Sequence, residues 1–183
     1  SVAWARELRD AGLRTAVVSS SQNCAAILEQ AGIDALFDAV VDAGNAFERD
    51  LAGKPAPDMF LAAADALGAA PARCVVVEDA VAGVAAGATG GFGLVIGVDR
   101  AGQAPALIEH GAHLVVEDLG ELLADVTEEA HRPGPRTHRL RTAARRILAA
   151  SAEHLTDPWR LVERHPDPGD AGRTESLFAV SNG

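Results

Sequence analysis

An α/β domain built on a parallel sheet with helices on both faces is the fold class these residues predict. Two observations carry that reading. Helical and strand signals alternate along the first 125 residues, the pattern of strand–helix–strand units. The strands are also continuous apolar runs, RCVVVED (73–79) and FGLVIGV (92–98) above all, as expected of strands buried on both faces. The chain has 183 residues, 48% of them hydrophobic. A chain of that size buries about 70% of its unfolded surface, so a substantial core is available.

Each element has its own signal. Trp4 to Leu8 is a helical stripe closed by Gly12, and LRTAVVS (13–19) is a short β-branched strand. SSQNCAAILEQAG then restarts a helix, with Ser21 or Asn23 as N-cap and Gly32 just past its end. DAVVDA (38–43) reads as a second strand, and Pro57 to Leu67 as a helix with proline early and Gly68 behind it. AVAGVAAGA is a helix of small residues, Pro105–His110 a short helix, and AHLVVED (112–118) a last strand.

Charge divides the chain. The net charge of −10 argues against general nucleic-acid binding. Residues 1–130 hold 7 Lys+Arg against 20 Asp+Glu, whereas 131–183 hold 9 against 6, which suggests a boundary near 130. From about Val126 the pattern changes: HRPGPRTHR is a linker, and RLRTAARRILAASAEHL reads as a basic helix. Its run of arginines is either a solvated face or a surface for an acidic partner, the first domain included. Residues 157–183 are turn-rich, with one short apolar run that is too little for a core.

No apolar run approaches the roughly 20 residues of a membrane span, and the opening SVAWARELRD is not a signal peptide. It lacks an initiator Met and begins within a helical pattern, so the chain is expected to be a piece of a longer one. Cys24 and Cys74 make no disulfide framework and have no metal spacing, which points to a reducing cytoplasm.

Parallel sheets place their chemistry in the loops at the carboxyl ends of the strands. Three such loops stand out. The first strand runs into Ser19-Ser20-Ser21-Gln22-Asn23, either a plain N-cap turn or an anion site made of hydroxyls and backbone N–H groups. The second loop, Gly53-Lys54-Pro55-Ala56-Pro57-Asp58, holds the only lysine of the chain between stiffening prolines. An ammonium on a held stem suits a phosphoryl oxygen, where an ordinary surface lysine would need no rigid frame. The third strand ends in Glu78-Asp79. These are either acids favoured by the following helix or a pair whose repulsion a hard cation such as Mg²⁺ relieves.

In order and spacing, Ser19, Lys54 in GKPAPD and Glu78-Asp79 in VVVEDAVAGVAAG resemble motifs II, III and IV of the haloacid dehalogenase (HAD) superfamily, nearest its β-phosphoglucomutase-like branch; IGVDR (96–100) fits the family's next strand. The resemblance covers about residues 1–125. It implies a three-layer Rossmann-like core and a Mg²⁺-dependent phosphotransferase acting on sugar phosphates. Ser19 would bind the transferring phosphoryl group, and Lys54 would neutralise it. Asp79 would ligate Mg²⁺ with Glu78 beside it, and Ser20, Ser21 and Asn23 would lie at the substrate's phosphate. The family's nucleophile is an aspartate in a D-x-D motif after a first strand that is central in its sheet, between the strands ending here at Ser19 and Glu78. No D-x-D precedes Ser19, and the helical cap domain is absent too. Two consequences are expected: a core lacking its central strand, with two apolar ladder edges to be satisfied, and a chain without turnover.

The tail motif W-x-L-V-E followed by TESLFAVSNG (157–183) resembles the extreme N-terminus of glycoside hydrolase family 65. Together the resemblances imply a partial core over 1–125, a basic linker and helix over 126–156, and the start of a fused disaccharide phosphorylase or hydrolase from 157. The activity implied is interconversion of β-glucose 1-phosphate and glucose 6-phosphate. Two alternatives stay open: a sugar-phosphate phosphatase, including one for trehalose 6-phosphate, and a non-catalytic module supporting the fused enzyme.

Overall fold

The computed structural model describes residues 2–10 and 12–122 and the backbone of residues 178–180. The basic helix and most of the tail therefore lie outside the described residues.

One sheet of six parallel strands forms the middle layer: β1 (Ala16–Val18), β2 (Ala39–Val41), β3 (Val75–Glu78), β4 (Leu94–Val98), β5 (Leu114–Val116) and β6 (Phe178–Val180). Their order across the sheet is β2-β1-β6-β3-β4-β5. The helices are α1 (Val2–Asp10), α2 (Cys24–Gln30), α3 (Ala43–Glu48), α4 (Asp58–Ala66), α5 (Val81–Thr89) and α6 (Ala104–Glu109).

Because successive side chains on a strand point to opposite faces, each strand feeds two cores. Val76, Val95, Ala16 and Val18 pack with Met59, Phe60 and Ala63 of α4, Val84 and Ala86 of α5 and Leu107 of α6. Val75, Val77, Leu94 and Ile96 pack on the other face with Trp4 and Leu8 of α1 and with Leu119 and Leu122. On that same face Val17 meets Cys24 and Leu28 of α2. The predicted α/β parallel architecture is thus the observed one, and the apolar runs are doubly buried strands. Small residues let α5 lie close: a Cβ on Gly87 would stand 3.1 Å from Val76.

Two elements depart from expectation. The segment after β2 folds into α3, an element that the sequence analysis does not predict. Its signal was present, because the buried Asp42 accepts from the Asn45 amide at 3.0 Å and Asn45 returns the bond, a capping box. The larger departure is in the middle of the sheet. Phe178–Val180, from a tail judged too short to contribute to a core, pairs in parallel with both β1 and β3. The central position expected to be missing is therefore filled, from the far end of the chain. The physical reason is the one that made the gap costly: two facing rows of ladder N–H and C=O groups need a partner, and any short extended segment can supply it.

Candidate phosphate site

Register places the three loops. Ala16 and Val76 both stand opposite Ala179, and Val17 and Val77 both stand opposite Val180. Continuing one step puts Val18 level with Glu78, and a second puts Ser19 level with Asp79, two strand spacings apart, or about 9–10 Å. Ser19 and the acid pair thus share the carboxyl edge of the sheet, on either side of the central strand.

Lys54 joins them from the loop before α4, where the Lys54–Pro55 peptide is cis. Its ammonium forms an ion pair with Glu78 Oε1, and both side chains are almost wholly buried, at 7% and 0% exposure. The ammonium also lies 5.1 Å from the centre of the Phe60 ring, a cation–π contact. The other Glu78 oxygen, Oε2, accepts from the Ala80 amide at 3.2 Å. Gly83 makes room for this carboxyl: a Cβ there would fall well inside its van der Waals surface. Two residues twenty-four positions apart, singled out separately in the sequence, are therefore in direct contact.

Asp79 is held differently. Its side chain stays 23% exposed, with Oδ2 3.4 Å from Arg100 Nε. Its carbonyl accepts from Gln103 Nε2 at 2.8 Å. Gln103 is fixed in turn by Asp99, whose carboxylate accepts the backbone N–H groups of Gln103 at 2.7 Å and Ala104 at 3.0 Å. The Gln103 amide first, then those of Ala104, Ala101 and Gly102, hold the Asp99 carboxyl below the usual carboxylate range. The sequence reading did not single out Asp99, Arg100 or Gln103 for this work. The visible signal was Asp99 at a strand end, followed by Pro105 in the first turn of α6.

The serine loop is tightly self-bonded. Ser19 is buried, and its Oγ accepts from the Ser21 amide at 3.1 Å. The Ser21 Oγ accepts from the Asn23 amide at 3.2 Å. Asn23 stands at the N-cap of α2 without a side-chain cap bond. Ser20 and Asn23 are exposed and Ser21 half-buried, so only Ser19 is built into the interior edge. Cys24 lies beneath it, its thiol pushed up by burial against a hydrogen bond with Ser19, with the Asp42 charge adding to the rise.

A divalent cation finds a limited donor set. Among the described residues no group of three or more His, Cys, Asp or Glu side chains could hold a metal. Glu78 is engaged by Lys54 and Ala80, which leaves the partly exposed Asp79 carboxylate, with Arg100 beside it, as the candidate ligand. That fits Mg²⁺, which keeps several waters and binds through one or two carboxylates plus substrate phosphate. It would not make a closed structural site. No helix among the described residues is long and apolar enough to cross a membrane, and Cys24 and Cys74 are buried and not joined in a disulfide.

Comparison with known proteins agrees with this architecture. Residues 1–91 match the haloacid dehalogenase-like hydrolase family. A β-phosphoglucomutase of Mycobacterium bovis is 50% identical over 116 residues, covering 62% of this chain and 44% of that protein. A trehalose-phosphate phosphatase of Mycobacterium leprae is 42% identical over 127 residues, covering 67% and 28%. An uncharacterized glycosyl hydrolase of Mycobacterium tuberculosis is 35% identical over 145 residues, covering 79% and 11%. Among solved structures, a HAD-family hydrolase of Deinococcus radiodurans with bound phosphate and sodium superposes with a TM-score of 0.58 at 35% identity, covering 66% of this chain and 55% of that one. The chain thus spans less than half the length of these curated relatives. Its first 91 residues resemble the haloacid dehalogenase-like hydrolases, and β-phosphoglucomutases stand among the chain's relatives.

Proposed function

We propose that this chain is the phosphate- and Mg²⁺-binding part of a phosphotransferase acting on sugar phosphates, of β-phosphoglucomutase type. The observation that carries the reading is the buried Lys54–Glu78 pair at the carboxyl edge of the sheet, next to the level that Ser19 and Asp79 share. Residues 1–130 carry a large excess of acid, a field that repels phosphate. An anion is bound there only where a local cation overrides it. Lys54 supplies that charge, and Glu78 keeps the ammonium oriented when no substrate is present. The Ser19 hydroxyl would meet a phosphoryl oxygen across the edge, with Ser20, Ser21 and Asn23 at the rim toward the sugar phosphate. Asp79 would hold Mg²⁺, with Glu78 orienting Lys54 beside it. Bound there, Mg²⁺ would offset negative charge on the phosphoryl oxygens.

The chain contains no D-x-D sequence, so it has receptors for phosphate without the family's aspartate nucleophile. It should therefore show no phosphatase or mutase turnover by itself. The test is phosphate release and glucose 6-phosphate formation from β-glucose 1-phosphate with Mg²⁺, beside a polypeptide extended upstream to include a D-x-D strand. Turnover only in the extended protein is expected; comparable rates would overturn the reading.

A second reading, a phosphatase for trehalose 6-phosphate, is favoured by the 42% identity to a trehalose-phosphate phosphatase. The same edge serves both, and the relative rates of the extended protein on the two substrates separate them. The boundaries belong to the proposal as well: core over 1–125, basic linker and helix over 126–156, and from 157 the start of a family-65 glycoside hydrolase. The match of 145 residues to 11% of a much longer protein called a glycosyl hydrolase supports a fusion of this kind. Such a partner would make sugar phosphate for the first domain or, if the domain is non-catalytic, be supported by it.

A further inference from the structure

We propose that the gap between β1 and β3 is a docking slot for one extended segment in the parallel sense, filled reversibly by the chain's own residues Phe178–Val180. The sheet consists of two halves, β2-β1 and β3-β4-β5, and no ladder bond joins them directly. All pairing between the halves passes through β6, with two register positions against β1 and three against β3. Away from the ladders the halves share the apolar core in which α4 packs against α5, and they also meet at the Lys54–Glu78 ion pair and the edge-on contact of Phe60 with Phe92, 5.9 Å between centroids.

The connection that delivers this strand is unlike the others. Residues 123–177 lie between it and the last described element, whereas each other strand is followed by a helix or turn within a few residues. Bringing together segments so far apart in sequence costs chain entropy, and a three-residue strand gains few bonds in return. Docking is therefore weak enough to reverse. The slot itself is persistent in character: Ala16, Val17, Val18, Val75, Val76 and Val77 are buried, and an empty slot would bare two ladder edges amid apolar surface. That combination is what β-augmentation requires of an acceptor, with main-chain bonds on both sides and apolar neighbours. Whatever occupies the slot also sets the spacing between Ser19 and Asp79. The docking stands apart from the phosphate reading, and its test uses no substrate.

The experiment uses the full chain and its Ala179→Pro variant, which removes an N–H from the centre of the docked segment. Amide exchange is followed at Ala16–Val18 and Val75–Glu78, and a fluorescent peptide with the sequence of residues 174–183, TESLFAVSNG, is titrated into each protein. In the unaltered chain these amides should be protected and the peptide at micromolar concentration excluded by the resident segment. In Ala179→Pro, protection should fall at least tenfold, and the peptide should bind saturably and restore it. If the variant loses its helical circular dichroism, the peptide should restore that too. Equal protection in the two proteins would overturn the proposal, as would a variant that the peptide neither binds nor restores.

Discussion

Lys54 and Glu78 illustrate what one buried pair demands of its surroundings. Removing two charges from water is expensive, and their attraction offsets the penalty only with good geometry and further hydrogen bonds. The Ala80 amide, the Phe60 ring and the space left by Gly83 meet that need. Lys54→Met strands the carboxylate and should destabilise the fold by about 3–5 kcal/mol, read by urea denaturation. The double variant Lys54→Met/Glu78→Leu should recover most of that loss. A single variant costing under about 1 kcal/mol would place the pair in the exposed class instead. Gly83→Ala drives a methyl into the Glu78 carboxyl, which can move aside only by disturbing its bonds to Lys54 and Ala80, and should cost about 1–3 kcal/mol in the same assay. At this scale the sequence singled out both residues separately. Lys54 was visible as the sole lysine in a proline frame, and Glu78 and Asp79 as acids ending an apolar strand. Their pairing was not visible: spacing shows that two loops share an edge, not which carboxylate turns toward the ammonium.

At the scale of elements, local chemistry decides most boundaries. Gly12, Gly32 and Gly68 all take positive φ where their helices were expected to stop. α3 was missed because six residues show too little periodicity, and its evidence was a cap rather than a stripe. Asp42→Ala should therefore cost about 1 kcal/mol in thermal or urea unfolding, and no change would remove the capping box from the explanation. The entry to β1 and β2 is fixed by Asp38, which accepts from Arg9 at 2.7 Å and from the Thr15 amide at 2.8 Å. Burial pushes its carboxyl up, but the bonds from Arg9 and Thr15, with the charges of Arg9 and Arg14, outweigh it, and the net result is a lowered pKa. A carboxyl more acidic in the folded than in the unfolded chain contributes stability that is fully present above its unfolded value, near pH 4. That contribution is lost as pH falls through the lowered folded value. Arg9→Leu should therefore lower stability at neutral pH and flatten its fall below about pH 4, measured by melting temperature against pH. An unchanged acid limb would contradict the assignment.

For the whole molecule, the division of labour follows from the sheet. The fold class was legible because doubly buried strands leave continuous apolar runs that little else produces. The source of the central strand was not, because three residues carry no period of their own; Phe178–Val180 gains its place from the gap that receives it. The site was legible as three loop ends and illegible as a geometry, since Ser19 and Asp79 become level only through that third strand. The Ser19 loop shows the same limit: its sequence offers free amides to an anion, yet those of Ser21 and Asn23 are turned onto neighbouring hydroxyls. On the proposed reading, binding rests on Lys54, Ser19 and a cation at Asp79. Calorimetric titration of inorganic phosphate into the full chain, with and without Mg²⁺ and in the partly exposed variant Asp79→Asn, tests this most directly. Saturable binding that requires Mg²⁺ and weakens at least tenfold in Asp79→Asn is the predicted result. Absence of binding in Mg²⁺, or binding indifferent to the Asp79 carboxylate, would contradict it.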